Sequence, residues 1–155
     1  MAYAYFFDSS ALVKRYVNEI GTAWVTSLTS PAASNSIYIG RITGVEVVAA
    51  IMRAQRQGRV SPTEANTARA KFRQHFDQDY LVIQITESIL DRAMELPERY
   101  QLRAYDAVQL ATALTVNDRR LARAMPALTL ISADIDLNAA ALAEGLAVDN
   151  PNNHP

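Results

Sequence analysis

A chain of 155 residues, 50% apolar and 20% charged, fits one globular domain that buries roughly two thirds of its unfolded surface, which excludes a disordered chain and any need for a disulfide or metal staple. The absence of cysteine removes thiolate nucleophiles, iron–sulfur clusters and cysteine zinc sites together. A net charge of −1 excludes coating of nucleic acid by charge alone, although of the 15 basic residues all but Lys14 and Lys71 are arginine, the side chain suited to bidentate contacts with phosphate or carboxylate.

Residues 2–7 form an apolar, aromatic run that ends at Asp8 and lacks the basic flank and length of a signal peptide or membrane span. A cytoplasmic protein without membrane contact is expected, and the run reads as a strand buried on both faces. Leu12, Val13, Tyr16 and Val17 then recur at helical spacing, and a second helical stretch around residues 24–28 stops near Pro31. Residues 37–39 are the next strand. Thr43 opens a helix with Val47, Ala50, Ile51 and Ala54 on one face, closing near Gly58. Ser61, Pro62 and Glu64 make an N-cap, a first-turn proline and a capping-box acid, so a helix runs from there to about Phe76. Residues 81–85 are a third strand, and Thr86 caps a helix to about Leu96. A helix over 103–115 carries Ala104, Ala107, Val108, Ala111 and Leu114 on its apolar face, and residues 128–131 form a fourth strand. A last helix over 136–144 ends at Gly145, before a short strand at 146–148. Strands separated by helices imply right-handed crossovers. The fold expected is therefore α/β: a single domain over residues 1–149 with a central parallel sheet of four or five strands flanked by helices on both sides, and a polar tail over 150–155.

In such sheets ligands bind outside the carboxyl ends of the strands, where strand order reverses. Asp8 follows the first strand directly, Asp134 lies just past the fourth, Glu46 is in the first turn of the helix after the second, and Asp106 is near the start of the helix before the fourth. Each has a structural explanation taken singly. Asp8 and Asp134 fit as N-caps, Thr43 to Glu46 as a capping box, and Asp106 as an acid favoured by the helix dipole. Capping does not explain why nearly every element reaching one edge brings an acid. Clustered carboxylates raise one another's pKa unless a cation holds them ionised, and an all-oxygen donor set favours Mg²⁺ or Mn²⁺ over Zn²⁺. Such ions complete their shells with water and phosphate oxygens, which points to phosphodiester or phosphoryl chemistry.

Four segments carry a family resemblance: FFDSSALVKRY at 6–16, Thr43-x-x-Glu46, LRAYDAVQLATAL at 102–114 and LISAD at 130–134, with GLAVDNP at 145–151 behind them. In order and spacing they resemble PIN domains, most of all the VapC-type toxins of bacterial toxin–antitoxin pairs, over essentially the whole chain. The resemblance implies a Mg²⁺- or Mn²⁺-dependent endoribonuclease with Asp8, Glu46, Asp106 and Asp134 as its acidic set, and Ser10 and Ser132 supporting it by hydrogen bonding. It also implies an RNA substrate, a VapB-like antitoxin and a homodimer, the last in keeping with apolar positions on the helices of Trp24 and Ile51. Asp136, two residues on, is the alternative fourth acid. The Ser132-x-Asp134 pattern favours Asp134.

Lys14, Arg15 and Arg103 are candidate phosphate contacts, and Tyr105 beside Asp106 a candidate for base stacking. His75 and His154 have no partner at metal or triad spacing and read as surface residues. A haloacid-dehalogenase-like phosphatase requires a second Asp where Ser10 stands, and five glycines include neither a dinucleotide fingerprint nor a P-loop. The remaining rival is a non-catalytic PIN-like module that binds RNA or protein, against which the intact acids argue.

Overall fold

The computed structural model describes residues 2–155. Five parallel strands, β1 (Ala4–Phe7), β2 (Ser36–Gly40), β3 (Leu81–Ile83), β4 (Thr129–Ile131) and β5 (Ala147–Asp149), make one sheet in the order β3-β2-β1-β4-β5. The chain winds outward from β1 on one side, then crosses back to lay β4 on the other. Strand order thus reverses between β1 and β4. The register sets Phe7 opposite Ile131, so Asp8 and Ser132 leave the sheet side by side, and the Asp8 amide donates to the Ile131 carbonyl at 3.2 Å.

Side chains alternate across β1 and β4, which gives two separate cores. Phe6 and Leu130 face a layer of α5 (Glu87–Arg99), α6 (Ala104–Ala122) and α7 (Ile135–Ala143). Phe7 and Ile131 face α1 (Ser9–Leu12), α2 (Thr22–Thr29), α3 (Thr43–Arg56) and α4 (Pro62–Gln78). Phe6 and Phe7 are both fully buried, as a central strand requires. Edge strand β3 is two residues shorter than the run over 81–85, because its pairing with β2 ends at Ile83.

Several boundaries differ from the sequence reading for definable reasons. After α1 the chain tightens into a 3₁₀ turn, Val13–Arg15, in place of a continued helix. Helix α6 runs to Ala122, about two turns beyond the apolar pattern. Its last turns are held by buried polar groups: Asn117 accepts from the Leu128 amide at 3.0 Å, and Arg120 donates to the Pro126 carbonyl at 2.8 Å and the Tyr38 hydroxyl at 3.1 Å. Gly44 in the first turn of α3 has a packing reason, since a Cβ there would lie 3.1 Å from the Phe76 ring of α4.

Residues 150–155 fold back onto the domain. A 3₁₀ turn, Pro151–Asn153, seats Pro151 so closely over Gly21, whose φ is +87°, that any Cβ would strike the Pro151 carbonyl. His154 stacks on Trp24 with ring centres 3.9 Å apart and bonds Asp149 at 2.8 Å. His75 in turn bonds the Tyr16 hydroxyl at 2.7 Å. Both histidines are thus half-buried and partnered, where the sequence suggested free surface residues. On α3, Val47, Ile51 and Ala54 face the core, and Val45 is an exposed large apolar residue. Among the described residues no helix is long and apolar enough to cross a membrane.

Candidate active site

The chain turns at the end of β1 by using Asp8 as the N-cap of α1, its carboxylate accepting from the Ala11 amide at 3.0 Å. The same carboxylate accepts from Ser10 Oγ at 2.7 and 2.9 Å and from Ser132 Oγ at 2.8 Å. Each serine is oriented from behind: Ser10 Oγ accepts from the Ala133 amide at 2.9 Å, and Ser132 Oγ from the Asp134 amide at 3.1 Å. Those two amides fix the hydroxyls as donors toward Asp8, and the Ser132 carbonyl is itself held by Asn138 Nδ2 at 2.8 Å. The loop after β4 is thereby tied to the end of β1.

Burial nevertheless pushes the Asp8 carboxyl up from its ordinary 3.8 to about 7, against the pull of the Ser10, Ser132 and Ala11 donors, with Asp106 adding a smaller upward push. The bonds favour the ionised form, but no positive charge comes with them. Asp106, half-buried in the first turn of α6, is also raised, first by burial and then by Asp134 and Glu46, while Arg103 pulls it down. Among the described residues none of Asp8, Glu46, Asp106 and Asp134 has an ion-pair partner.

Glu46 is where the sequence reading needs correction. The Thr43–Glu46 capping box does not form: the N-cap of α3 is Ile42, with no side-chain cap bond. Thr43 is fully buried and its hydroxyl accepts instead from Gln109 Nε2 at 2.8 Å. Gln109 Nε2 also donates to Glu46 at 2.9 Å, and Ser9 Oγ donates to the other Glu46 oxygen at 3.0 Å. Freed from capping, Glu46 is aimed by α1 and α6. Asp134 does cap α7, accepting from the Leu137 amide at 2.9 Å, and still reaches the site.

Asp8, Glu46, Asp106 and Asp134 line one cavity of about 610 Å³ at the switch point, together with Ser10, Arg103 and Tyr105. Asp136 does not. It is exposed in the first turn of α7 and lies outside the cavity wall. Ser132 lies fully buried behind Asp8, to which its hydroxyl donates. Lys14 and Arg15 are also absent from the wall, because the 3₁₀ turn redirects them: Lys14 is buried and pairs with Glu19 at 3.1 Å, while Arg15 donates to the Tyr80 hydroxyl at 2.7 Å. Sequence reasoning missed Ser9, Gln109 and Asn138, which hold the acids and their loop. Gln109 stands one turn after Asp106 on the same face of α6, and that i, i+3 spacing was the available signal.

The donor set is compatible with a divalent cation. Four hard oxygen donors from four elements face one opening, and one of them is a buried carboxylate without countercharge. Among the described residues no group of three or more acidic or histidine side chains stands close enough together to hold a metal ion; the four carboxylates share the wall of one cavity and do not close into a cage.

A doubly wound α/β domain with a carboxylate-lined switch point is the class these observations define. The family model described as PIN domain matches residues 5–143, and the chain belongs to the PIN domain family. No curated protein matches the sequence. Among solved structures it is similar to PAE2754 from Pyrobaculum aerophilum, with 22% identity, TM-score 0.62 and coverage of 96% of this chain and 90% of that one. It is also similar to VapBC2 from Rickettsia felis, solved with a fragment of promoter DNA, at 16% identity, TM-score 0.61 and coverage of 95% and 98%. A third is VapC20 of Mycobacterium tuberculosis, described as a toxin that cleaves the sarcin–ricin loop, at 18% identity, TM-score 0.58 and coverage of 88% and 94%.

Proposed function

We propose that the chain is a Mg²⁺- or Mn²⁺-dependent endoribonuclease and the toxin of a VapBC-like toxin–antitoxin pair. The observation that carries this reading is the placement of Asp8, Glu46, Asp106 and Asp134 on the wall of one cavity with, among the described residues, no ion pair to any of them. Family membership supports a nuclease, and the likeness of the fold to VapC20, a toxin that cleaves the sarcin–ricin loop, supports RNA as substrate. When bound between these carboxylates, the cation supplies the positive charge that a phosphodiester needs in order to enter and to be attacked.

The rest of the work belongs to the chain itself. Ser10 and Ser132 hold Asp8 facing inward and favour its ionised form against the opposing effect of burial, and Gln109 with Ser9 holds Glu46. Arg103, Arg53 and Arg59 line the opening and place positive charge where flanking phosphates approach. Tyr105, 58% exposed on the cavity wall, offers an aromatic face to a base. Asp136, Lys14 and Arg15 take no part in holding the cation.

The partners proposed are RNA, a VapB-like antitoxin and a second copy of the chain, in the cytoplasm. An antitoxin arginine directed at the acids would pair bidentately and exclude both metal and phosphate. Incubating the purified chain with structured and single-stranded RNA, with chelator and then with Mg²⁺ or Mn²⁺, tests the activity: internal cleavage that requires the metal is expected, and intact RNA under every metal condition would refute it.

A further inference from the structure

A second cavity of about 480 Å³ lies between the Val13–Arg15 turn and α4, and it adjoins the acidic one: Val17 and Arg59 line both. Its charge is of the opposite kind. Arg15, Arg59 and Lys71 line it against a single acid, Glu64, with the hydroxyl-bearing Thr63 and Thr67 on the α4 side. None of these cations is locked away. The Arg59–Glu19 pair spans 3.4 Å with the arginine side chain 47% exposed, a pair of little strength that leaves the guanidinium able to turn to a phosphate. Arg15 uses one Nη1 donor on Tyr80, which orients its fork without consuming its five N–H groups. Lys71 is exposed on α4.

We propose that this second cavity is a phosphate subsite for the RNA strand beside the scissile bond, with Arg59 as the bridge between the two chambers. The proposal rests on the ribonuclease reading and extends it to how the strand is held. A cavity lined by carboxylates admits one phosphate with its cation but repels the phosphates on either side. A cationic chamber sharing a wall with it offsets that repulsion for the strand leaving in that direction. The chamber binds backbone and not base edges, so it adds affinity and register without sequence preference.

The test uses the full chain carrying Asp106→Asn, so that RNA is bound and not cut, and reads binding of two single-stranded RNAs by fluorescence anisotropy over a KCl series. One RNA spans both cavities, and the other is trimmed to the nucleotides around the scissile bond. Lys71→Gln is expected to weaken the longer RNA roughly 3- to 10-fold, more than the trimmed one, and to flatten its log–log salt slope by about 0.7. Adding Arg59→Gln deepens the loss. Arg123→Gln, at the far end of α6, controls for general charge. If Lys71→Gln changes nothing, or no more than Arg123→Gln, while the parent binds RNA and the wild type cleaves it, the subsite is overturned and the ribonuclease reading stands. If the parent binds no RNA and the wild type cleaves none, the ribonuclease reading falls and takes the subsite with it.

Discussion

Within nine residues, Asp8 to Tyr16, the chain builds two polar clusters of opposite character. At Tyr16 the polar groups satisfy one another: its hydroxyl bonds His75 and Tyr80, Arg15 donates to Tyr80, and Lys14 closes on Glu19. At Asp8 every hydrogen bond is also made, yet negative charge is left over, buried and opposed by no cation. Full hydrogen bonding with charge compensated by a partner, as at Lys14, or by water, as at the half-buried Arg15, is what a stabilising cluster requires. Full hydrogen bonding with uncompensated charge costs stability and persists where something else supplies the charge. The difference separates a structural pin from a site.

The largest effects are expected from neutralising the uncompensated cluster. Asp8→Asn keeps an oxygen for the Ala11 amide and so keeps the helix cap, but should reduce metal-dependent cleavage by about 10²-fold or more, beyond the loss typical of outer-shell partners. Stability should move the other way. Because the folded protein holds the Asp8 proton up to about pH 7, against about 4 when unfolded, it binds more protons than the unfolded chain between those values. Stability of the metal-free protein therefore falls as pH rises through that window. Thermal melts of wild type and Asp8→Asn in chelator from pH 4 to 8 should diverge with rising pH, the variant melting higher at pH 8. A variant that melts lower throughout would make Asp8 a structural residue like Tyr16.

How much of this was legible in the sequence follows the same division. The uncompensated cluster was readable because its acids stand at the ends of elements that hydrophobic period alone locates: Asp8 ends β1 and Asp134 follows β4. The compensated one was not, because Tyr16, His75 and Tyr80 meet only once α4 packs on the Val13–Arg15 turn, and no local period records that contact. The same blindness misplaced Lys14 and Arg15, which a continued helix would have carried elsewhere. It also shortened α6, whose final turns hold buried Asn117 and Arg120 in place of apolar side chains. Thr43 and Glu46 fit a local capping rule, but a tertiary partner, Gln109, outbid the helix end for both.

Gln109 is the place to sharpen the comparison, since it connects Thr43 and Glu46 without carrying charge. Gln109→Ala should lower Mn²⁺ affinity by about 10- to 100-fold, read by calorimetric titration, with Glu46 still present. An unchanged affinity would show that Ser9 alone aims Glu46. On the compensated side, Tyr80→Phe removes the hydroxyl shared by Arg15 and Tyr16 and should cost about 1–2 kcal/mol in urea denaturation. Metal affinity should not change. A loss of metal binding in that variant would mean the two clusters are coupled through α1 and are not separate.

The smallest expected effect decides between two acids two residues apart. Asp134 has a cost either way: it caps α7 through the Leu137 amide and lines the cavity, so Asp134→Asn, which preserves the cap oxygen, should leave the melting temperature nearly unchanged while weakening Mn²⁺ binding and cleavage. Asp136 stands exposed in the first turn of α7, where its one physical role is to face the positive end of the helix dipole, an interaction of about 0.3–1 kcal/mol at a surface position. Asp136→Asn should therefore lower stability by no more than that amount and leave cleavage within about 2-fold of wild type, since a charge in water outside the cavity is screened over about 8 Å at physiological salt. Measuring both variants in parallel separates the roles, because each replacement removes one charge from the same helix end and only one removes it from the cavity. Equal losses of cleavage would mean that α7 turns on binding metal to bring Asp136 inward, and the fourth acid would then belong to the loop and not to Asp134 alone.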